Sequence, residues 1–477
     1  MRIFNYKMLI VITFLTGSYF SCINSIQNTN EQKTEVDEYV NQVLERYGIP
    51  GAALAIIKDG KIQHQNCYKL ASLELNVPVD NSVLFQLSSL SKIFTSTATF
   101  QLIENQKISL EHSISNYLDD LPTDWQTVKI KHLLSHTSGL PEIVVYEKLP
   151  EDSAKSNVYL DPIQFIPGER SRYTNTNFWL LMRIIEKVTD QRFEDFVLER
   201  QFSSSKNSVV YAGNFYDIVS GRATSYEPNE EGVFQLRKYE FPEYLFGAAG
   251  LNISLDEFII WNQNLDNGKL IEDKTKSQMW TQFTLNNNKP IGYTYGWHVR
   301  KPNSRISIGF SGGFTTGFRK FTEDNLTIIF LTNGYKYRFR IERVIENIAG
   351  LIVEGLEYNE SQIYESLLTS FLEGENQVAL QSYYKLKKKY PDNEFENIMN
   401  SIGYELLNLN KMKKAIEVFN INVEENTNSW NAFDSLGEAY ELFGDKAKAI
   451  ENYRKSVLLN PDNEHANNKI ISLQENN

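Results

Sequence analysis

Ser89 and Lys92 stand three residues apart in SSLSKIFTST, so on a helix both side chains lie on one face. A serine hydroxyl is a poor nucleophile at neutral pH and needs a base. An amine one turn away can serve once burial or a neighbouring group lowers its pKa. Spacing alone does not select this pair, because Ser203 with Lys206 and Ser382 with Lys385 share it and most such pairs are solvated helix faces. Ser89 differs in its place. The apolar lead-in LFQLS ends where a long helical pattern begins, and a helix starting at the serine would turn its dipole and free N–H groups toward developing negative charge.

The elements that must position such a pair can be read along the chain. With 477 residues, 41% hydrophobic and 23% charged, it is a globular chain too long for one core, which stops growing at about 250–300 residues. The net charge of −12 leaves no overall basic surface for phosphates, so no nucleic-acid partner is expected. Arg2 and Lys7 precede the apolar run MLIVITFLTGSYF, and Ser21-Cys22 follows. This reads as an export signal over 1–22, too short to span a bilayer of about 30 Å. Cleavage before Cys22 would make that thiol a site for lipid anchoring, although Tyr19 and Phe20 stand where such signals carry a small aliphatic pair. Lipid attachment is preferred over plain secretion, and either way the protein is periplasmic or membrane-anchored. Cys67 then has no partner for a disulfide.

Residues 23–35 are polar and read as a tether, with structure beginning near Val36. Asp59-Gly60 between two strand-like runs signals a β-hairpin. FRKFTEDNLTIIFLTNG signals a second, followed by the helical pattern IERVIENIAGLIVEGL. Segments between them, including NFWLLMRIIEKVTDQRFEDFVLER, read as helices or loops. The expectation is a sheet built from both ends of a domain around a helical insertion. From about Ile363 strand patterns stop. Leu436, Gly437, Tyr440, Gly444, Ala449, Tyr453 and Pro461 fall at the positions of a tetratricopeptide repeat. One period of about 34 residues earlier stand Ile402, Gly403, Leu406, Ala415 and Phe419. A degenerate copy holds Ala379, Tyr383 and Pro391, and a last helix is expected near Asn463–Leu473.

SSLSK, RYTNTNFWLL, SHTSGLP and GFSGGFTTGF, in their order and wide spacing, resemble the motifs of the serine β-lactamase and D-alanyl-D-alanine carboxypeptidase-like family, in particular its class C, penicillin-binding-protein-like and esterase branch. The supporting stretches PGE, FGAAGLNISLDEF and TIIFLTNG fit as well. The resemblance covers residues 36–356. It implies an α/β (α+β) fold, a β-lactamase/transpeptidase-like antiparallel sheet flanked by helices with a helical insertion, while the repeat pattern implies an all-α tetratricopeptide repeat domain over 363–477. It implies that Ser89 forms an acyl-enzyme with an ester, amide or peptide substrate while Lys92 and Tyr173 manage the protons. Asn175 would orient substrate and lysine. Ser311, Gly312 and Gly313 would bind substrate, the N–H groups of Ser89 and Gly313 forming an oxyanion hole worth about 2.7–4 kcal/mol per donor. Neither a metal nor an organic cofactor is expected. The partners expected are a small-molecule or peptide acyl substrate and, at the repeats, a protein partner or a second copy.

Two readings stay open. Tyr39-Val40-Asn41 shares the spacing of Tyr173-Thr174-Asn175, so that motif convinces only through its neighbours, and His136 is expected to be a structural loop residue. The third motif departs from the family. Phe310 stands where a lysine or histidine is usual, and losing that donor removes a contact worth about 1.5–3 kcal/mol to a substrate carboxylate. Penicillins and D-alanyl ends are therefore poorer fits, and the alternative function is a weak penicillin-binding-like protein that captures a cell-wall ligand. Arg319 or Lys320 would return the charge from the next strand unless they merely line a solvated strand edge.

Overall fold

Asp59 and Gly60 reverse the chain at φ of 51° and 74°, the left-handed pair that a two-residue hairpin turn needs. They join β1 (Gly51–Lys58) to β2 (Lys61–Ser72), and the short β3 (Val77–Pro78) pairs along β2. The computed structural model describes residues 32–202, 208–301, 304–356, 359–374 and 376–475. The export signal, Cys22, most of the tether, Ser203 and Lys206 lie outside them. A helix over 32–46 buries Val36, Val40, Val43 and Leu44 along one stripe. Residues 32–35, expected in the tether, are its first turn, because the apolar stripe anchors a helix whose polar beginning leaves no period of its own.

After β3 the chain leaves the sheet. β4 (Leu84–Gln86), β5 (Val209–Tyr211), the separate hairpin of β6 (Tyr226–Pro228) and β7 (Phe234–Leu236), and β8 (Leu251–Ser254) follow, with β4, β8 and β5 forming a small antiparallel sheet. Strands this short leave no alternation to read, which is why this region looks only helical or loop-like in sequence. Helix Lys92–Glu104 is the centre of the insertion. Every residue from Lys92 to Leu102 is buried, so it has no solvent face. Thr97 and Thr99 return their hydroxyls to carbonyls four residues back, at 2.8 and 2.9 Å. The pattern beginning NFWLLMRIIEK is two helices, Thr176–Thr189 and Phe193–Gln201, broken where Asp190 takes φ 56°.

The chain returns through β9 (His298–Arg300), β10 (Ser307–Gly312), β11 (Thr316–Phe321) and β12 (Leu326–Thr332), giving a seven-stranded sheet in the order β3-β2-β1-β12-β11-β10-β9. β1 and β12, from opposite ends of the domain, are antiparallel neighbours with Ala55 opposite Ile329. Helix Ile341–Ile352 covers one face with Ile341, Val344, Ile345 and Ile348. Gly317 makes room for it, since a Cβ there would lie 2.6 Å from Ile345 Cδ1. Helix Leu255–Asp266 covers the other face, Phe258 stacking on Phe318 at 5.1 Å.

The chain divides into two compact units at Leu356/Glu357. Seven helices make up the described residues of the second: Asn359–Glu373, Asn376–Lys389, Phe395–Asn408, Met412–Glu425, Trp430–Phe443, Lys446–Leu459 and Glu464–Glu475. The first starts four residues ahead of Ile363, where the sequence pattern begins. A Cβ on Gly403 would meet Phe419 at 2.4 Å and one on Gly437 would meet Tyr453 at 2.8 Å, so these glycines let paired helices approach.

Candidate active site

Ser89 sits in a 3₁₀ turn, Ser88–Ser91, and the α-helix begins at Lys92 rather than at the serine. The Leu90 N–H closes on Leu87 O at 3.1 Å, while the Leu87 N–H is drawn to Leu251 O at 2.8 Å, so β8 tightens the turn before the helix can start. Ser88 takes φ 49°, a conformation costing a non-glycine residue about 1–3 kcal/mol. β10 ends against this turn. A Cβ on Gly312 would fall 1.9 Å from Leu87 O and 2.8 Å from Leu90 N, so only glycine allows the approach, and Thr316 Oγ1 fastens the same carbonyl at 2.9 Å. Gly313 follows, and no acceptor among the described residues takes the N–H of Ser89 or of Gly313.

Lys92 is fully buried, its Nζ 3.3 Å from Ser89 Oγ. It donates to Asn175 Oδ1 at 2.9 Å and to Ala248 O at 2.8 Å. Burial pushes the amine down to about 7, opposed by the Glu142 carboxylate. Tyr173 reaches Ser89 from a segment far away in sequence, its hydroxyl donating to Ser89 Oγ at 2.9 Å. The side chain is 37% open to the cleft, yet the packing around its hydroxyl raises the phenol pKa, against the lowering bond from Ser89. Tyr173 therefore holds its proton where Lys92 releases one. Asn175, at the head of helix Thr176–Thr189, stands between them, 3.5 Å from the Tyr173 hydroxyl.

Glu142, at the end of SHTSGLPE, was missed in the sequence. It accepts the Asn175 N–H at 3.0 Å and the Val144 N–H at 3.1 Å, fixing the residue that holds Lys92. Its signal was its place two residues past SHTSGL. His136 is buried with φ 56°, and its ring lies 4.6 Å from that of Tyr173. Its Nδ1 faces the Thr174 N–H at 3.3 Å and Asn177 Nδ2 at 3.1 Å. Burial holds its pKa well below the ordinary value, followed by the charge of Lys92, so it is a neutral platform under Tyr173. Tyr39, the other Tyr-x-Asn tyrosine, accepts from Asn347 Nδ2 at 2.9 Å in helix packing.

Phe310 is buried at the end of β10, and the His298 ring, also unforeseen, stacks on it at 4.5 Å. Burial, then Arg319, lowers His298 to about 4, so it is neutral at pH 7. Ser311 Oγ donates to Glu342, on the helix over the sheet. Neither open reading of Arg319 and Lys320 holds. Both are buried: Arg319 bonds Ser307 O and Oγ at 3.3 and 3.2 Å, and Lys320 bonds Asn262, Asp266 and Thr327 at 2.7–2.9 Å. Alternation along β11 sends these two chains to opposite faces of the sheet, where those partners use them. Among the described residues no group of three or more His, Cys, Asp or Glu side chains is gathered to hold a metal ion.

Both units of the chain resemble known proteins. The family model described as Beta-lactamase matches residues 36–349, and the one described as Tetratricopeptide repeat matches 431–463. Penicillin-binding protein 4* of Bacillus subtilis is 28% identical over 321 residues, 61% of this chain and 69% of that protein. Protein flp of Staphylococcus aureus is 25% identical over 333 residues, 64% of this chain and 61% of that protein. An octameric penicillin-binding protein homologue from Pyrococcus abyssi superposes with a TM-score of 0.60 at 20% identity, over 70% of this chain and 81% of that one.

Proposed function

Since the chain belongs to the β-lactamase family and is a serine hydrolase, we propose that it is exported and acts through a Ser89 acyl-enzyme on an ester, amide or peptide. The observation that carries this reading is the contact of Ser89 Oγ with both Lys92 Nζ, at 3.3 Å, and the Tyr173 hydroxyl, at 2.9 Å. In acylation the Ser89 Oγ–carbon bond forms as the hydroxyl proton passes to neutral Lys92 Nζ. The carbonyl electron pair moves to oxygen, between the N–H groups of Ser89 and Gly313. The pair then returns, the bond to the leaving group breaks, and that group takes the proton from Lys92 through the Tyr173 hydroxyl. Water hydrolyses the ester by the same steps in reverse roles. Lys92 is the base in this scheme because its amine is the group brought near neutrality, whereas the Tyr173 phenol is pushed the other way.

Export rests on Arg2, Lys7 and the apolar run before Ser21-Cys22, with Cys22 as the lipid-anchoring site. Among the described residues no helix is long and apolar enough to cross a membrane. The repeat unit is the docking surface for a protein partner or a second copy. The activity is tested with a p-nitrophenyl ester. Hydrolysis by the wild type and its loss in Ser89→Ala, Lys92→Ala and Tyr173→Phe are expected. Full retention in Ser89→Ala would remove the proposal.

A further inference from the structure

The leaving group departs toward its proton donor, and the wall on the Tyr173 side of Ser89 is built from unusual parts. Rings follow one another from Tyr173 to His136 (4.6 Å), Tyr293 (5.0 Å), His298 (4.5 Å) and Phe310 (4.5 Å), and Phe310 closes on Tyr173 at 6.5 Å. None of the five carries a charge at neutral pH, both imidazoles being held neutral chiefly by burial. Phe310 stands where the family resemblance leads one to expect a lysine or histidine, and β9 pairs with β10 only as far as Gly309, leaving an edge at residues 310–312 with no strand paired on that side.

On that edge Ser311 is the side chain able to donate to a substrate anion, and its hydroxyl is already given to the Glu342 carboxylate. Burial alone would raise the pKa of Glu342. The Ser311 bond, its own backbone, and the charges of Arg319 and Arg300 outweigh it, so the group stays ionised at neutral pH. The cations behind it are engaged: Arg300 is paired with Glu346, and Arg319 is bonded to Ser307. Arg338 lies over the Phe314 ring, and Arg237 lies over the Phe215 ring, 3.5 Å from where a Gly313 Cβ would be.

We propose that Glu342 is a specificity-determining residue: it keeps carboxylates off the Ser311 edge, so that this enzyme takes substrates whose leaving group is uncharged and apolar or aromatic. The inference rests on the Ser89 reading and narrows its substrate class. A substrate carboxylate at Ser311 would meet the like charge of Glu342 and find the Ser311 hydroxyl already engaged, a combination that costs about a factor of ten or more in kcat/KM.

The test uses the full chain and two acetate esters, of 3-hydroxybenzoate and of 3-hydroxybenzamide, with rates normalised to their hydroxide-catalysed hydrolysis. Wild type is expected to prefer the benzamide ester by about tenfold or more. Glu342→Gln, which keeps an acceptor for Ser311 without the charge, should narrow that preference to within about threefold. The wild-type ratio needs no variant, so the proposal stands or falls even if Glu342→Gln does not fold. Equal normalised rates in wild type, or an unaltered ratio in a folded Glu342→Gln, overturn the role of Glu342 alone. Absence of Ser89-dependent turnover of both esters overturns the acyl-enzyme reading and this inference with it.

Discussion

If Lys92 is the base that activates Ser89, the pH dependence of acylation must report its buried amine. An exposed lysine is about 0.04% neutral at pH 7. Buried among Asn175, Ala248 and Ser89, Lys92 is brought to about 7. The difference from 10.5, desolvation net of the opposing Glu142 charge, is on the order of 5 kcal/mol. The neutral form is the active one, so the rate rises with pH: about a tenth of the amine is neutral at pH 6, half at pH 7 and nine tenths at pH 8. The kcat/KM for a p-nitrophenyl ester, measured from pH 5 to 9.5 and corrected for spontaneous hydrolysis, should climb about tenfold between pH 6 and 8 and then level. Lys92→Arg, whose guanidinium does not deprotonate, should lose about two to four decades and the plateau with them. A wild-type rate rising tenfold per pH unit through pH 9 without levelling would refute a Lys92 amine brought near neutrality as the base.

Glu142 raises the Lys92 pKa, so Glu142→Gln should move that midpoint below about 7, read from the same profile. Gly312→Ala places a methyl 1.9 Å from Leu87 O. It should displace the nucleophile turn, costing about 1–3 kcal/mol of stability by thermal melting and most of the esterase activity. In the second unit Gly437→Leu drives a side chain into Tyr453, 2.8 Å from where the Cβ would sit. Helical melting should show a loss of about 1–3 kcal/mol there, while the esterase activity persists.

The chemistry-bearing types were legible because two of them share a helical turn. Ser89 and Lys92 lie close in sequence, and motif order then brought in Tyr173, Asn175 and the glycines of β10. What sequence could not give came from long-range packing. The serine leads a 3₁₀ turn because β8 captures the Leu87 N–H, a contact made 164 residues away. His298 reaches Phe310 only through the pairing of β9 with β10, and Glu342 reaches Ser311 only because helix Ile341–Ile352 packs on the sheet. Arg319 and Lys320 look like strand-edge charges in sequence, but β11 is an inner strand whose two faces are both covered by helices. Short strands β4 to β8 leave too few residues for alternation, whereas β1 and β12 announce themselves as continuous apolar runs.

The nucleophile itself is open to direct observation. Brief incubation with an activated ester, acid quench and intact-mass measurement should show one added acyl group, and peptide mapping should locate it on Ser89 within SSLSK. Ser89→Ala should gain no mass. An acyl group found on another residue, or an equal mass gain in Ser89→Ala, would contradict the acyl-enzyme at this serine.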